Sequence, residues 1–214
     1  KRGKLLKKVF FFFYGKKVEK RKEWWYTLFK NWQYQYIIRN TKGGATMGYV
    51  KWSYSVLEHF CHDVFRAFGF DETQSKEIED VLLTADLFGI ESHGMQRMVR
   101  YHKGIEKGTI HPLAKPEVVF ETPVSAVIDG HNGMGQLISI YAMKKAIEKA
   151  KTSGIGMVSV RNSNHFGIAG YYAKMASDEG LLGMACTNSE AIMVPTFGKK
   201  AMLGSNPIAV AMPA

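Results

Sequence analysis

The 214-residue sequence predicts an α/β protein, on three observations. Helical periodicity fills 53–107; beyond it, short apolar runs alternate with helical ones; and the run VRNSNHFGIAGYY over 160–172 sets a histidine between an apolar strand and a helix. The alternation indicates strands covered by helices, and strand-to-helix junctions are where such folds carry chemistry. The organisation predicted is an N-terminal extension over 1–46, a helical subdomain over 47–110 and an α/β domain over 111–214.

In the helical part, Val56, Phe60, Val64 and Phe68 recur every four positions over 53–68, with Glu58, His62 and Asp63 elsewhere on the wheel, and Gly69 closes the helix. Asp71 followed by Gln74 has the form of a capping box and opens a second helix whose face carries Ile78, Val81, Leu82, Ala85 and Leu87, ending near Gly89. A third helix is expected from Gly94 to Lys107, stopped by Gly108. After His111-Pro112, the runs 116–120 and 125–128 read as strands parted by Pro123, and 136–152 as a helix rich in Ala and Lys. Then follow a strand at 155–160, a helix at 166–179 bearing Tyr171, Tyr172 and Met175, and strands at 182–187 and 207–212. The last apolar strand predicts an unfinished sheet, and so a chain that lacks a C-terminal part.

Charge is unevenly spread. Residues 1–46 hold 13 of the 29 Lys and Arg and 2 of the 19 acids, a balance of +11, which leaves −1 for 47–214. The basicity therefore belongs to the extension, and the whole-chain charge gives no ground for a nucleic-acid partner. The extension mixes aromatic runs such as VFFFFY with lysines; aromatic stacking on single-stranded nucleic acid and a membrane-surface role are the alternatives it leaves open. It lacks a signal-peptide cleavage site and an apolar stretch of spanning length, and the expectation is that native coding begins at Met47. Cys61 and Cys186 have no metal-ligand spacing; one disulfide is possible but not needed, and without a credible signal peptide the reduced cytoplasm is the expected compartment.

Three constellations carry candidate chemistry. His165 stands near an expected helix N-terminus, where the dipole favours anions and lowers an imidazole pKa, so that it exchanges protons near neutrality; the alternative is a loop histidine bonded to backbone. In the run ESHGMQRMVRYH over 91–102, His93, Arg97 and Tyr101 are spaced by four and share one helix face, with Ser92 at the cap. A guanidinium fork beside a histidine and two hydroxyls suits a small carboxylic acid, and a solvated face is the alternative. Thr187, Asn188 and Ser189 end an expected strand, where hydroxyl and amide groups either bond a ribose and a nicotinamide amide or simply make a turn. The glycines of DGHNGMGQ over 129–136 are spaced Gly-x-x-Gly-x-Gly, not in the dinucleotide order Gly-x-Gly-x-x-Gly, and predict a tight turn with close helix packing. No metal site is expected.

Taken together, ESHGMQR at 91–97, DGHNGMGQ at 129–136, RNSNHFG at 161–167, TNS at 187–189 and LGSNPIA at 203–209 resemble the type 2 malate/L-lactate dehydrogenase family, which includes ureidoglycolate, sulfolactate and piperideine-2-carboxylate oxidoreductases. The likeness spans about 53–214. It implies a non-Rossmann, L-sulfolactate dehydrogenase-like fold, with 111–214 as part of a nucleotide-binding domain. It also implies a cytoplasmic homodimer using NAD or NADP to interconvert a small 2-oxo acid and its 2-hydroxy acid. Carried over, His165 matches the proton-transferring histidine, Ser92, His93, Arg97 and Tyr101 the substrate helix, and Ser189, with Asn188 and Thr187 beside it, the cofactor contact. The rival readings are an inactive fragment and a metal-dependent hydrolase using His93 and His165.

Overall fold

A computed structural model describes residues 52–213, and the readings made for the first 46 residues lie outside that range. Two helices, α1 (Tyr54–Ala67) and α2 (Glu72–Leu87), open it. The capping box forms as the sequence predicts: Gln74 N donates to Asp71 Oδ1 at 2.8 Å, and Asp71 N donates to Gln74 Oε1 at 3.0 Å. The buried side of α1 is set by Cys61, Val64 and Phe65, whereas Val56 is half exposed. A step of four overshoots the 3.6-residue turn, so a line drawn every fourth residue drifts off the buried stripe within two turns. On α2, Leu83 joins the core and Leu87 points to solvent.

The expected third helix is divided. Residues Glu91–His93 and Met95–Arg97 form two 3₁₀ turns broken at Gly94, and α3 (Met98–Glu106) starts only afterwards. The cause is Asp86 at the end of α2. Its Oδ2 accepts the Met95 N–H at 2.9 Å, and a Cβ at Gly94 would lie 1.8 Å from Asp86 Oδ1. The carboxylate thus takes the volume of the missing side chain and caps the second turn from outside.

Strands β1 (Glu117–Glu121), β2 (Ser125–Asp129) and β3 (Met157–Arg161) form one sheet in that order, β1 antiparallel and β3 parallel to β2. Helix α4 (Gly135–Ser153) makes the crossover, packing Ile138 and Ala142 on Ile128, with Val118, Val158 and Val160 around them. Helix α5 (Ala169–Asp178) follows. Strands β4 (Gly183–Cys186) and β5 (Ile208–Ala211) pair antiparallel in a second sheet, Gly183 opposite Ala211. The described strands therefore build a mixed α/β body with two small sheets.

Three apolar clusters tie these layers together. The largest joins α1, α2 and α3 through Phe65, Phe70, Leu82, Met98 and Tyr101, and takes in Met134 from the start of α4. Val81, on another side of α2, packs with Ile140 and Tyr172, so α2 lies between the helical core and the α4–α5 layer. Burial of these large side chains, at about 1.5–3 kcal/mol each, is what holds the helical part against the α/β part. Among the described residues, no helix is long and apolar enough to cross a membrane.

Candidate active site

Residues 64 positions apart meet where α3 crosses the β3–α5 loop. The Tyr101 hydroxyl lies 2.8 Å from His165 Nδ1, and Gln136 Nε2 donates to the same hydroxyl at 2.7 Å. Tyr101 and Gln136 are fully buried. Because an amide N–H only donates, the phenol oxygen accepts from Gln136 and sends its own proton to Nδ1. The Gly167 N–H also points at Nδ1, at 3.4 Å. With the Gln136 amide in this orientation Nδ1 accepts, which puts the ring proton of a neutral His165 on Nε2.

Backbone packing fixes where that ring stands. The segment before it is pinned by Asn164, whose amide N–H groups are shared among the carbonyls of Thr109, Asn132 and Gly133 at 3.2, 2.9 and 3.0 Å. Gly135, the first residue of α4, lets the chain come still closer: a Cβ there would sit 2.3 Å from the His165 carbonyl oxygen and 2.4 Å from that of Asn164. A third tie is Asp129 at the end of β2, which accepts from Arg161 Nε at 2.9 Å, Asn162 Nδ2 at 2.9 Å and His131 N at 2.9 Å. These donors hold the Asp129 carboxyl down at about 2, the His131 backbone N–H foremost. The residues 130–133 make the predicted turn, with His131 and Asn132 at positive φ.

His165 does not sit in a helix dipole as the sequence suggested. Gly167 takes φ +84° and Ile168 is an extended N-cap, so α5 starts four residues after the histidine, beyond the reach of its terminal field. Its pKa is nonetheless pushed far down, to about 2, first by burial and then by the positive charges of Arg100 and Arg97, with His93 adding to them. His93 stacks on His165 with ring centroids 5.3 Å apart, and its pKa is lowered by burial, Arg97 and Arg100. Burial pushes the Tyr101 phenol well up, so it stays protonated.

The expected single face of His93, Arg97 and Tyr101 is not a helix face, since the first two stand on the 3₁₀ turns and the third on α3. His93 and Tyr101 both reach the His165 ring, and Arg97 acts on it through its charge. Arg97 Nε donates to the Ser92 carbonyl, and Ser92 Oγ lies 2.8 Å from His93 Nδ1. Among the described residues neither Arg97 nor Arg100 has a carboxylate at ion-pair distance, and the buried Arg100 Nε has no hydrogen-bond partner. The sequence reading missed Arg100, although its place three residues beyond Arg97 puts the two near one side of the chain. It missed Gln136 too, which stands at the end of a run read only for its glycines.

Thr187, Asn188 and Ser189 form a separate cluster past β4, whose hydrogen bonds run within it and to the loop before β5. Ser189 N donates to Asn206 Oδ1 at 2.8 Å, Ser189 Oγ lies 3.1 Å from Ser205 Oγ, and Thr187 Oγ1 donates to the Asn188 carbonyl at 3.1 Å. A Cβ on Gly204 would meet the Ser189 oxygens at 2.6 and 2.7 Å, so the two loops close on one another around exposed hydroxyls and amides. Among the described residues no group of three or more His, Cys, Asp or Glu side chains is placed to hold a metal ion.

A helical unit packs on a mixed α/β body, and an imidazole, a phenol and two guanidinium groups gather where they join. The family model for malate/L-lactate dehydrogenase matches residues 52–214, and the chain belongs to that family. It is 47% identical over 172 residues to a malate dehydrogenase of Pyrococcus abyssi, covering 80% of this chain and 48% of that one. An L-sulfolactate dehydrogenase of Methanocaldococcus jannaschii is 46% identical over 149 residues, 70% of this chain and 43% of that one. The structure of malate dehydrogenase from Pyrococcus horikoshii OT3 superposes with a TM-score of 0.75 at 46% identity, over 80% of this chain and 49% of that one. The chain thus spans about half the length of the relatives it matches.

Proposed function

We propose that the protein is an NAD(P)-dependent 2-hydroxyacid oxidoreductase, interconverting a small 2-oxo acid and its 2-hydroxy acid in a homodimeric cytoplasmic enzyme. The observation that carries this reading is the convergence on one buried imidazole: a phenol at 2.8 Å, a second imidazole stacked at 5.3 Å, and two guanidinium groups that no carboxylate of the described residues neutralises. Cations left unpaired in a partly dry site await an anion, and a planar guanidinium suits a carboxylate. Arg97 holds the substrate carboxylate, with Ser92, His93 and Tyr101 beside it. The pyridine nucleotide, when bound, supplies or takes the hydride at substrate C2. Thr187, Asn188 and Ser189 fit such a group, since their hydroxyls and amides match ribose and carboxamide.

His165 holds and moves the proton at the substrate oxygen. In the protein alone it is neutral, and a carboxylate bound at Arg97 offsets the Coulombic part of what keeps it so, while burial remains. Substrate binding therefore raises the proton affinity of the imidazole just where a proton is needed. The arrangement asks little of the side chains beyond position, because hydride and proton transfer share one geometry.

The test is steady-state oxidation of NADH and NADPH by the whole protein with a panel of 2-oxo acids, beside the His165→Ala variant. Turnover in the variant is expected to fall about a hundredfold or more. Equal turnover in both would refute the role given to His165, and no turnover with any acid in the panel would refute the class.

A further inference from the structure

We propose that Gln136 is a positioning residue whose buried side-chain amide, acting through the Tyr101 hydroxyl, decides which ring nitrogen of His165 carries the proton. The proposal rests on reading His165 as the proton-transferring group. It starts from an imbalance: Gln136 Nε2 donates to Tyr101, while Gln136 Oε1 is buried without a hydrogen-bond partner. A carboxamide has nearly the same shape with N and O exchanged, so the two orientations differ in hydrogen bonding far more than in packing.

With Nε2 toward Tyr101, the phenol oxygen accepts and its proton goes to Nδ1, which leaves Nε2–H as the one ring proton. An imidazole in that state cannot take a proton at Nε2. With Oε1 toward Tyr101, the phenol donates to Gln136 and its oxygen accepts from Nδ1–H, which leaves a lone pair on Nε2 that can receive the hydroxyl proton of a 2-hydroxy acid. Only this second orientation also suits the imidazolium, because the first aims both the Gln136 N–H and Nδ1–H at the Tyr101 oxygen and strands the phenol proton. No net proton moves between the neutral states: one leaves Nε2 for solvent and one from solvent arrives at Nδ1. The groups facing the ring are His93 and Arg97 from the 3₁₀ turns, Arg100 and Tyr101 from α3, and the Gly167 N–H, which lies 3.4 Å from Nδ1, can only donate and adds a weak bias toward the Nδ1 lone pair; Tyr101 in turn faces Cys61 of α1. None of these is a carboxylate, so the amide is the group in the chain of donors able to switch between donor and acceptor.

The experiment is ¹⁵N NMR of the histidine rings in the ¹⁵N-His-labelled protein, with His165 assigned by its loss in His165→Gln, together with the pH profile of kcat/KM in the whole protein. In the unliganded wild type near neutral pH, Nδ1 is expected as the lone-pair nitrogen; a protonated Nδ1 overturns the proposal. Gln136→Glu supplies only acceptors, and is expected to move the ring proton to Nδ1 and raise the midpoint of ring titration by a pH unit or more. Gln136→Met removes both functions and is expected to give a mixture of the two tautomers. On a Tyr101→Phe background neither change is expected to alter the His165 signals, because the link is cut. Unshifted His165 signals in folded Gln136→Glu or Gln136→Met, whichever folds, overturn the proposal. A structural role alone would alter stability and leave tautomer and pH profile in place. If His165→Ala retains turnover, the dehydrogenase reading falls while the ring spectra still decide the role of Gln136.

Discussion

Replacing Gly135 by alanine tests how the candidate site is held. The new Cβ would lie 2.3 Å from the His165 carbonyl oxygen and 2.4 Å from that of Asn164. An ordinary carbon–oxygen contact lies near 3.4 Å, so the β3–α5 loop and α4 must part by about 1 Å, and no rotamer change relieves it because both sides of the clash are backbone. Overpacking of this kind costs about 1–3 kcal/mol, against which the better helix propensity of alanine returns at most about 1 kcal/mol. The net expectation is a loss of about 1–2 kcal/mol in urea unfolding. The consequence for the site is larger. A 1 Å shift stretches the 2.8 Å Tyr101–His165 contact past hydrogen-bonding distance, and misplacement on that scale is worth about a hundredfold in rate. The matched control is Gly170→Ala in α5, where a Cβ meets nothing within 4 Å; it is expected to be neutral or to stabilise by up to about 1 kcal/mol. If Gly135→Ala unfolded within about 0.5 kcal/mol of wild type, with the His165 ring signals unmoved, the claim that this close approach seats the histidine would be wrong.

Arg97→Ala is expected to raise KM for the 2-oxo acid by roughly 10- to 100-fold, the worth of a charge-assisted hydrogen bond, with Arg97→Lys in between; an unchanged KM in steady-state kinetics would remove Arg97 from the carboxylate site. Asp129 has a folded pKa of about 2, below its usual 3.8, so it contributes stability that is fully present above about pH 4 and is lost as pH falls toward 2. Asp129→Asn is thus expected to be less stable at neutral pH and to show a flatter decline over that window in urea midpoints measured against pH; parallel curves would mean that the Arg161, Asn162 and His131 donors do not act through its charge.

How much of this was legible in the sequence depended on the range of the interaction. The capping box of α2 is local, three residues across, and reads directly from Asp71 and Gln74. The β2–α4–β3 unit follows from apolar runs on either side of an Ala- and Lys-rich stretch. The break at Gly94 does not, because its cause is a carboxylate eight residues back that reaches across a turn. Nor does the departure of β4 from the first sheet, since a strand's own residues do not say which partner it pairs with. His165, Arg97, His93 and Tyr101 were chosen for chemistry and motif, and the spacing argument behind the shared helix face failed while three of the four side chains still surround one ring. Arg100 carries no sequence signal beyond its three-residue spacing from Arg97, and Gln136 carries none. Their importance comes from burial: one leaves a guanidinium nitrogen without a partner, the other a carbonyl oxygen.

What distinguishes this histidine electrostatically is the partner it lacks. A carboxylate on Nδ1 would favour the imidazolium at all times, whereas here Nδ1 faces a phenol that burial keeps protonated, and the nearest charges are positive. The resting protein thus keeps its imidazole neutral and its guanidinium groups unanswered, an arrangement that costs folding stability and makes the site receptive to anions. Because the folded pKa of His165 is depressed, the associated stability is present above about pH 6.5 and is drained as pH falls through the window toward 2, since the unfolded chain takes the proton first. A bound carboxylate reverses part of that balance. On this reading the protein's acid-base group is armed by its substrate, so binding and proton transfer are coupled through charge across a few ångströms, with the Gln136 amide setting the direction in which the proton is allowed to travel.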